Sequence, residues 1–317
     1  MNYRIHPYRL EFKHPFKIAH TLRDHTLNAY LEIWDDSCRA WGELVFPPYY
    51  PETLDSFTQF LTSIDLPIIH GIADVHLFMD HVHATVEGNL FAKAGLDIAL
   101  HNFAAVKESK SISELYQLKP TSTQTSFTIG ISSDREMIEK IQVAEQFEYI
   151  KLKVDGKEIE RIITCFRAHS DKAFVVDANQ GFEDREKTLE WTHRLHEMKV
   201  AYFEQPFHKD DLASHQWLKE RSPIPIIADE SFQTIDSMDR IAEAFDGINV
   251  KLMKCGGVYA GYKSMKLAQQ KKLKVVLGCM SESSVAIDAA WQIAGLADWV
   301  DLDGPYLIKN DDFLDKQ

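Results

Sequence analysis

From residue 126 to residue 303 the chain alternates short apolar runs with amphipathic stretches, and few architectures tolerate that pattern. The runs are "SFTIGI", "YIKLKV", "AFVVDAN", "VAYFEQP", "PIIADES", "INVKL", "KVVLGCM" and "WVDLDG". Between them lie segments such as "DREMIEKIQVAEQF", "GKEIERIITCFRAHS" and "DREKTLEWTHRLHEMK", whose apolar residues recur three or four apart as on one face of a helix. Strand and helix in strict alternation predict parallel βα units. Eight strands with seven intervening helical patterns predict an α/β fold of the modified TIM barrel type, (β/α)7β, over residues 121–303. Residues 1–120 read differently. "YRIHPYRLEF" and "TLNAYLEIWDDSCRAWGELVF" predict antiparallel strands, the second pair turning at Asp35-Asp36, and "AKAGLDIALHNFAAVKES" predicts an amphipathic helix. This is an α+β capping domain ahead of the barrel, and the tail 304–317 is a candidate to return to it.

A barrel of this kind builds its active site at the C-terminal ends of its strands. Lys153, Asp177, Glu204, Asp229 and Lys251 end five consecutive runs, with gaps of 24, 27, 25 and 22 residues, and Asp301 and Asp303 end the last. One charged residue at a strand end is ordinarily the start of a solvated loop. Five in phase, set inside runs as apolar as "VVDAN" and "YFEQP", require compensation, because an unpaired buried charge is costly. Asp177, Glu204 and Asp229 are three hard oxygen ligands with no histidine or thiolate beside them, a set that suits Mg2+.

Lys151 and Lys153, two apart in "YIKLKVD", point the same way on one strand. A lysine beside another cation has a lowered pKa, which tunes it toward a base. Across the barrel Lys251 ends "INVKL", with Lys254 as its rival. Two lysines on opposite sides of a metal-bound substrate reach opposite faces of one carbon. The expected chemistry is removal and return of a proton next to a carboxylate.

Composition narrows the field. With 48 acidic against 35 basic residues and a net charge of −13, the chain lacks the basic balance of a nucleic-acid or anionic-membrane binder. "MNYRIHPYRL" contains no apolar run, so neither a signal peptide nor a membrane anchor is expected, and the expected location is the cytoplasm. Cys38, Cys165, Cys255 and Cys279 form no CxxC pair and are read as plain buried residues. The histidines of "HLFMDHVH" are read as surface or core fillers.

"KLK" at 151–153, "DAN" at 177–179, "EQP" at 204–206, "ADES" at 228–231 and "KLMKCGG" at 251–257, with "WGE" at 41–43 and "AGLDIALHN" at 94–102 in the cap, together resemble the enolase superfamily, muconate-lactonizing subgroup. The resemblance spans nearly the whole chain, and the superfamily pairs a lysine or histidine base with magnesium. It implies Asp177, Glu204 and Asp229 as Mg2+ ligands, Lys153 and Lys251 as the two acid/base catalysts and Lys151 as a supporting cation. Two departures lie in the cap: Asn102 stands where the family often has Asp, and "LYQLKP" replaces a glycine-containing turn.

Within the subgroup, Asp301 and Asp303 in "DLDGP" match the dipeptide epimerases, where two carboxylates on the last strand would take the free α-ammonium of a dipeptide and the Cα of its C-terminal residue would be inverted. By the same resemblance Thr128 and the segment holding Cys279, Met280 and Ser281 line the pocket. The basic island "HPFKIAHTLRDH" suggests Lys17 or Arg23 as the partner of a glutamate side chain, hence an Ala-Glu-like substrate of the kind used on cell-wall peptides. The nearest competitor is o-succinylbenzoate synthase, which would not require the aspartate pair, and N-acylamino acid racemase is a further alternative. From another class, a Schiff-base lyase would use a strand-end lysine but not three carboxylates in phase. The expected partner is a small-molecule dipeptide, and a homo-oligomer is compatible with the chain.

Overall fold

Period-2 alternation at the N-terminus becomes a three-stranded antiparallel sheet, ordered β1 (Asn2–Ile18), β2 (Thr21–Trp34), β3 (Arg39–Val45). The computed structural model describes residues 1–18, 21–119 and 121–311. The β2–β3 turn forms at Asp35-Asp36: the Asp35 carboxylate accepts from Ser37 N at 2.8 Å and Cys38 N at 3.1 Å, an Asx-type closure. β2 is central, and Asn28 to Ile33 are buried on both faces.

Helices α1 (Leu54–Thr62), α2 (Ile72–Thr85) and α3 (Leu90–Glu108) complete the cap. α3 packs so tightly on β3 that a Cβ at Gly42 would collide with Gly95 O and the backbone of Ala99. That close approach is why "WGE" and "AGLDIALHN" share a domain. Asn102 explains its own departure: its amide donates to Trp41 O at 2.8 Å, which an ionised aspartate could not do.

The second sheet is parallel, with its eight strands in sequence order: β4 (Phe127–Ile129), β5 (Tyr149–Lys153), β6 (Ala173–Asp177), β7 (Phe203–Glu204), β8 (Ile226–Ala228), β9 (Gly247–Lys251), β10 (Lys274–Gly278) and β11 (Trp299–Asp301). It closes on itself. Thr125 pairs with Val300, Ser126 N donates to Val300 O at 3.0 Å, and the Tyr149 hydroxyl accepts from Val300 N at 3.0 Å. Outward residues such as Ile150, Leu152, Phe174, Val176, Ile248 and Val250 join the main core against the helices. Inward residues Tyr149, Val175, Tyr202, Ile227 and Val276 form a separate apolar plug at the N-terminal end, so the polar inward residues are stacked above it.

The strand-end reading needs one correction. β11 stops at Asp301, paired with the last residue of β10, so Asp303 is not on the last strand but immediately before the short helix Gly304–Leu307. The chain then returns to the cap: Ile308 pairs with Phe12, Lys309 N donates to Glu11 O at 2.8 Å, and the Asn310 side chain accepts from Glu11 N at 2.8 Å. All four cysteines are free thiols. None of the described helices is long and apolar enough to cross a membrane.

Candidate active site

The C-terminal rim of the barrel and the cap enclose a cavity of about 310 Å³. Parallel register sets Lys153 beside Asp177 and Asp177 beside Glu204 on neighbouring strands, and Asp229 follows the end of β8. Ligand atoms of Asp177, Glu204 and Asp229 lie within 4.8 Å of one another, all three residues are buried, and theirs is the only such group among the described residues.

The lysines interleave with them. Lys151 Nζ lies 3.0 Å from Asp177, 2.9 Å from Glu204 and 2.8 Å from Asp301. Lys153 reaches Asp177 at 2.5 Å, and Lys251 reaches Asp229 at 2.8 Å. Lys254 resolves its rivalry with Lys251 by position. It lies behind Asp229, bonded to that carboxylate and to Asp229 O at 2.6 Å, and it does not line the cavity, whereas Lys251 does.

Burial opposes every one of these charges, and the partners decide the outcome. The carboxylates of Asp177, Asp301 and Glu204 outweigh burial and hold Lys151 well above its usual range. Lys251 is likewise raised against burial, by Asp229. The expectation that a neighbouring cation lowers a lysine of the Lys151–Lys153 pair is therefore corrected for Lys151, where nearby carboxylates dominate. Despite burial, Lys151 and Lys153 pull Asp177 down, and Lys251 and Lys254 pull Asp229 down. Burial and the Asp177 charge push Glu204 up.

The donor set fits a divalent cation on two observations. Glu204 Oε2 is buried and, although close to Lys151, accepts no hydrogen bond. The second is the donor chemistry: three buried carboxylates converge with no histidine or thiolate among them, the hard oxygen set that a divalent cation such as Mg2+ takes.

Asp301 and Asp303 both line the cavity with Thr128, Cys279, Met280 and Ser281. They are less free than the sequence suggested. Asp301 is committed to Lys151 and, at 2.6 Å, to Ser126, because closing the barrel brings β11 against β4 and β5. Asp303 is held by Thr128, whose N–H donates to it at 2.6 Å. Burial and the neighbouring Asp301 charge raise Asp303 to about 7.

Arg23 reaches the cavity from the cap, its guanidinium 5.8 Å from the Phe12 ring and 5.7 Å from the Tyr49 ring. The strand position of Lys17 pairs with Leu22, but its side chain lies outside the described residues. The α2 histidines stay out of the site: His76 stacks on Tyr259 at 4.1 Å and shares the Tyr116 hydroxyl with His101.

Several cavity residues escaped the sequence reading. Glu230 stands next to Asp229, and the Asn179 amide donates to it at 3.1 Å. Gln205, at φ 38°, accepts from Asp229 N at 2.9 Å and Ser231 N at 3.0 Å, tying the ends of β7 and β8 together. The quoted motifs "DAN", "EQP" and "ADES" contained all three, so the signal was present and only the strand-end charges in phase were weighed. Tyr50 descends from the cap over Lys251 and Asp229. Asn28 and Glu43 hold the Cys279–Ser283 segment, with Asn28 donating to Ser281 O at 3.2 Å and Glu43 accepting from Ser283 N at 2.9 Å.

The family model described as Enolase C-terminal domain-like matches residues 134–302, which carry every strand-end residue of the site except the β11-following Asp303. An L-Ala-D/L-Glu epimerase from Bacteroides thetaiotaomicron is 34% identical over 315 residues, 99% of this chain and 82% of that protein. An L-Ala-D/L-amino acid epimerase from Pedosphaera parvula is 33% identical over 99% of this chain and 93% of its own length. Among solved structures, a dipeptide epimerase from Cytophaga hutchinsonii, complexed with Mg and the dipeptide D-Ala-L-Val, superposes with a TM-score of 0.87 at 26% identity, covering 98% of this chain and 88% of that one. With its closed barrel, interleaved lysines and carboxylates, and near-complete match to curated epimerases, this chain belongs to the enolase superfamily and is an isomerase of its epimerase and racemase branch.

Proposed function

We propose that the chain epimerises a dipeptide at the Cα of its C-terminal residue, with Mg2+ as cofactor. The observation that carries this reading is the order of groups around the rim. In a closed barrel of eight strands in sequence order, strands four apart face each other, so β5 lies opposite β9 and β7 opposite β11. Lys153 and Lys251 thus face each other across one diameter. Glu204, flanked by Asp177 and Asp229, faces Asp301 and Asp303 across the other.

A dipeptide laid along the second diameter, its carboxylate toward the acidic triad and its ammonium toward the aspartate pair, places its C-terminal Cα between the lysines. Mg2+ held by Asp177, Glu204 and Asp229 would supply Lewis-acid stabilisation of the negative charge that builds on the substrate carboxylate when Cα loses its proton. The chain's own residues do the rest. A neutral lysine on one side takes the Cα proton, and the ammonium of the other delivers a proton to the opposite face, so turnover exchanges the two protonation states. Lys151, anchored by three carboxylates, stays charged and holds the acidic groups in register.

Since Asp301 is already paired, recognition of the ammonium falls chiefly on Asp303. Arg23, which lines the cavity, or Lys17 in its stead, would read a second-residue glutamate. An Ala-Glu substrate derived from cell-wall peptides would be met in the cytoplasm.

Incubating a dipeptide library with the enzyme and Mg2+ in deuterium oxide tests the reading by mass spectrometry. Gain of a single deuteron at the C-terminal residue of particular dipeptides is expected. Exchange confined to N-acylamino acids, dehydration of an o-succinylbenzoate precursor, or a borohydride-trapped lysine adduct would each replace it. In the same assay Arg23→Ala should reduce any preference for Glu over Gln at the second residue by about 3- to 10-fold, the worth of a partly exposed charge pair.

A further inference from the structure

Beside the catalytic cavity lies a second chamber of about 120 Å³, bounded by β4, the helix Asp134–Val143, the end of β1 and the returning tail. The two spaces share Thr128, Ser281 and Leu307 as walls. Thr128 is also the residue that holds Asp303, so the chamber opens beside the proposed seat of the substrate ammonium. The first side chain of a dipeptide whose ammonium sat at Asp303 would have this chamber beside it.

The lining is mainly apolar, with Phe12, Phe127, Val143 and Ile308 among its walls, but it is not neutral. Lys140 lines it, half-buried, and makes no hydrogen bond or ion pair with any described residue. Burial pulls its ammonium below the usual range against the pull of Glu136, the acidic group one turn earlier on its helix. Glu136 forms no ion pair with Lys140; its carboxylate is turned to the helix cap, accepting from Ser133 N at 3.2 Å and Ser133 Oγ at 3.1 Å. Lys13 and His14, both exposed, stand on the cap side of the same chamber. Three basic groups thus surround an apolar space in a chain of net charge −13. A lysine held partly out of water with no partner is costly, and a carboxylate delivered on a short methylene stem would relieve that cost.

We propose that this chamber is the subsite for the first residue of the dipeptide and that it selects an acidic side chain there, Lys140 receiving the carboxylate. The inference rests on the dipeptide reading and replaces the alanine named there as first residue with an acidic one. An N-succinyl group could present the same carboxylate, but it lacks the ammonium that Asp301 and Asp303 would hold, so the free acidic residue is the commitment.

The test compares matched dipeptides that differ only in the first residue, Ala, Gln or Glu, with the second residue fixed as the one turned over fastest behind Ala, alongside the N-succinyl derivative of that second residue. In wild-type enzyme, kcat/KM for the Glu-first dipeptide should exceed that of the isosteric Gln-first dipeptide by about 10-fold or more. Lys140→Met should bring that ratio to about one, and Lys140→Arg should restore it, with circular dichroism confirming that both variants fold. Equal rates for Glu-first and Gln-first substrates in wild-type enzyme, a parallel loss of both in Lys140→Met with the ratio intact, or faster turnover of the N-succinyl compound would each overturn the proposal. If none of the three dipeptides is epimerised, whatever the first residue, the dipeptide reading fails instead, so the two failures are told apart.

Discussion

The two halves of the barrel mouth are built differently. On the side of β6, β7 and β8, each acidic group has fixed partners from neighbouring strands: Asp177 is gripped by Lys151 and Lys153, Asp229 by Lys251 and Lys254, and Gln205 ties the ends of β7 and β8 together. On the side of β10, β11 and β4, Asp303 has Thr128, the Cys279–Ser283 segment is held from the cap by Asn28 and Glu43, and Arg23 rests against aromatic rings. The first half is rigid because strand-borne groups specify the chemistry. The second half is assembled from loops and a separate domain, which can vary without disturbing the reaction.

Removing the metal should break the rigid half with the largest effect. Chelation is expected to abolish α-proton exchange, a loss of about 10³-fold or more, with recovery on adding Mg2+. Exchange that survives exhaustive chelation would show that the acidic triad is not a metal site.

The joint between the cap and the barrel comes next. Asp97 of α3 accepts from Val258 N at 2.5 Å and Tyr259 N at 3.3 Å, capping the helix that follows Lys251 and Lys254. Gly257 makes that approach possible: it has φ 119°, and a Cβ there would collide with the Asp97 side chain. Gly257→Ala should cost about 2–4 kcal/mol of stability in denaturant titration. A stability within about 0.5 kcal/mol of wild type would mean the cap is not locked to the barrel at this point.

The substrate half should respond more selectively. Asp303→Asn should lower kcat/KM for free dipeptides by about 10- to 100-fold, chiefly through KM, and leave Mg2+ affinity unaltered. A matching loss of metal binding would merge the two halves into one network.

The rigid half was largely legible in the sequence, and its legibility has a physical cause. One βα unit has a nearly constant length, so Lys153, Asp177, Glu204, Asp229 and Lys251 recur in phase with the strands. The residues of the other half were named through the family resemblance and the basic island, not through spacing, because its contacts join residues with no spacing rule. Lys151 meets Asp301 across 150 positions only because the barrel closes, and Glu43 meets Ser283 across 240 because the cap folds over the rim. Asp303 was assigned to a strand because inward and outward residues alternate, and the pattern does not say where a ladder runs out of partner. Gln205 and Asn179 were passed over because their importance lies in left-handed backbone and in amide hydrogen bonds, which leave no charge to notice. The charge of Lys151 was misjudged, since it depends on carboxylates from three other strands.

The central claim is that Lys153 and Lys251 serve opposite faces of one carbon. Stereospecific deuterium exchange, followed by proton NMR on each epimer of the preferred dipeptide, tests it most directly. In wild-type enzyme both epimers should exchange and interconvert. Lys153→Ala and Lys251→Ala should each abolish interconversion, by about 10³-fold or more, while each variant retains Cα exchange for one epimer only, and the retained epimer should differ between them. If one variant still interconverts the epimers, or if both retain exchange of the same epimer, the two lysines do not divide the faces and the account is wrong.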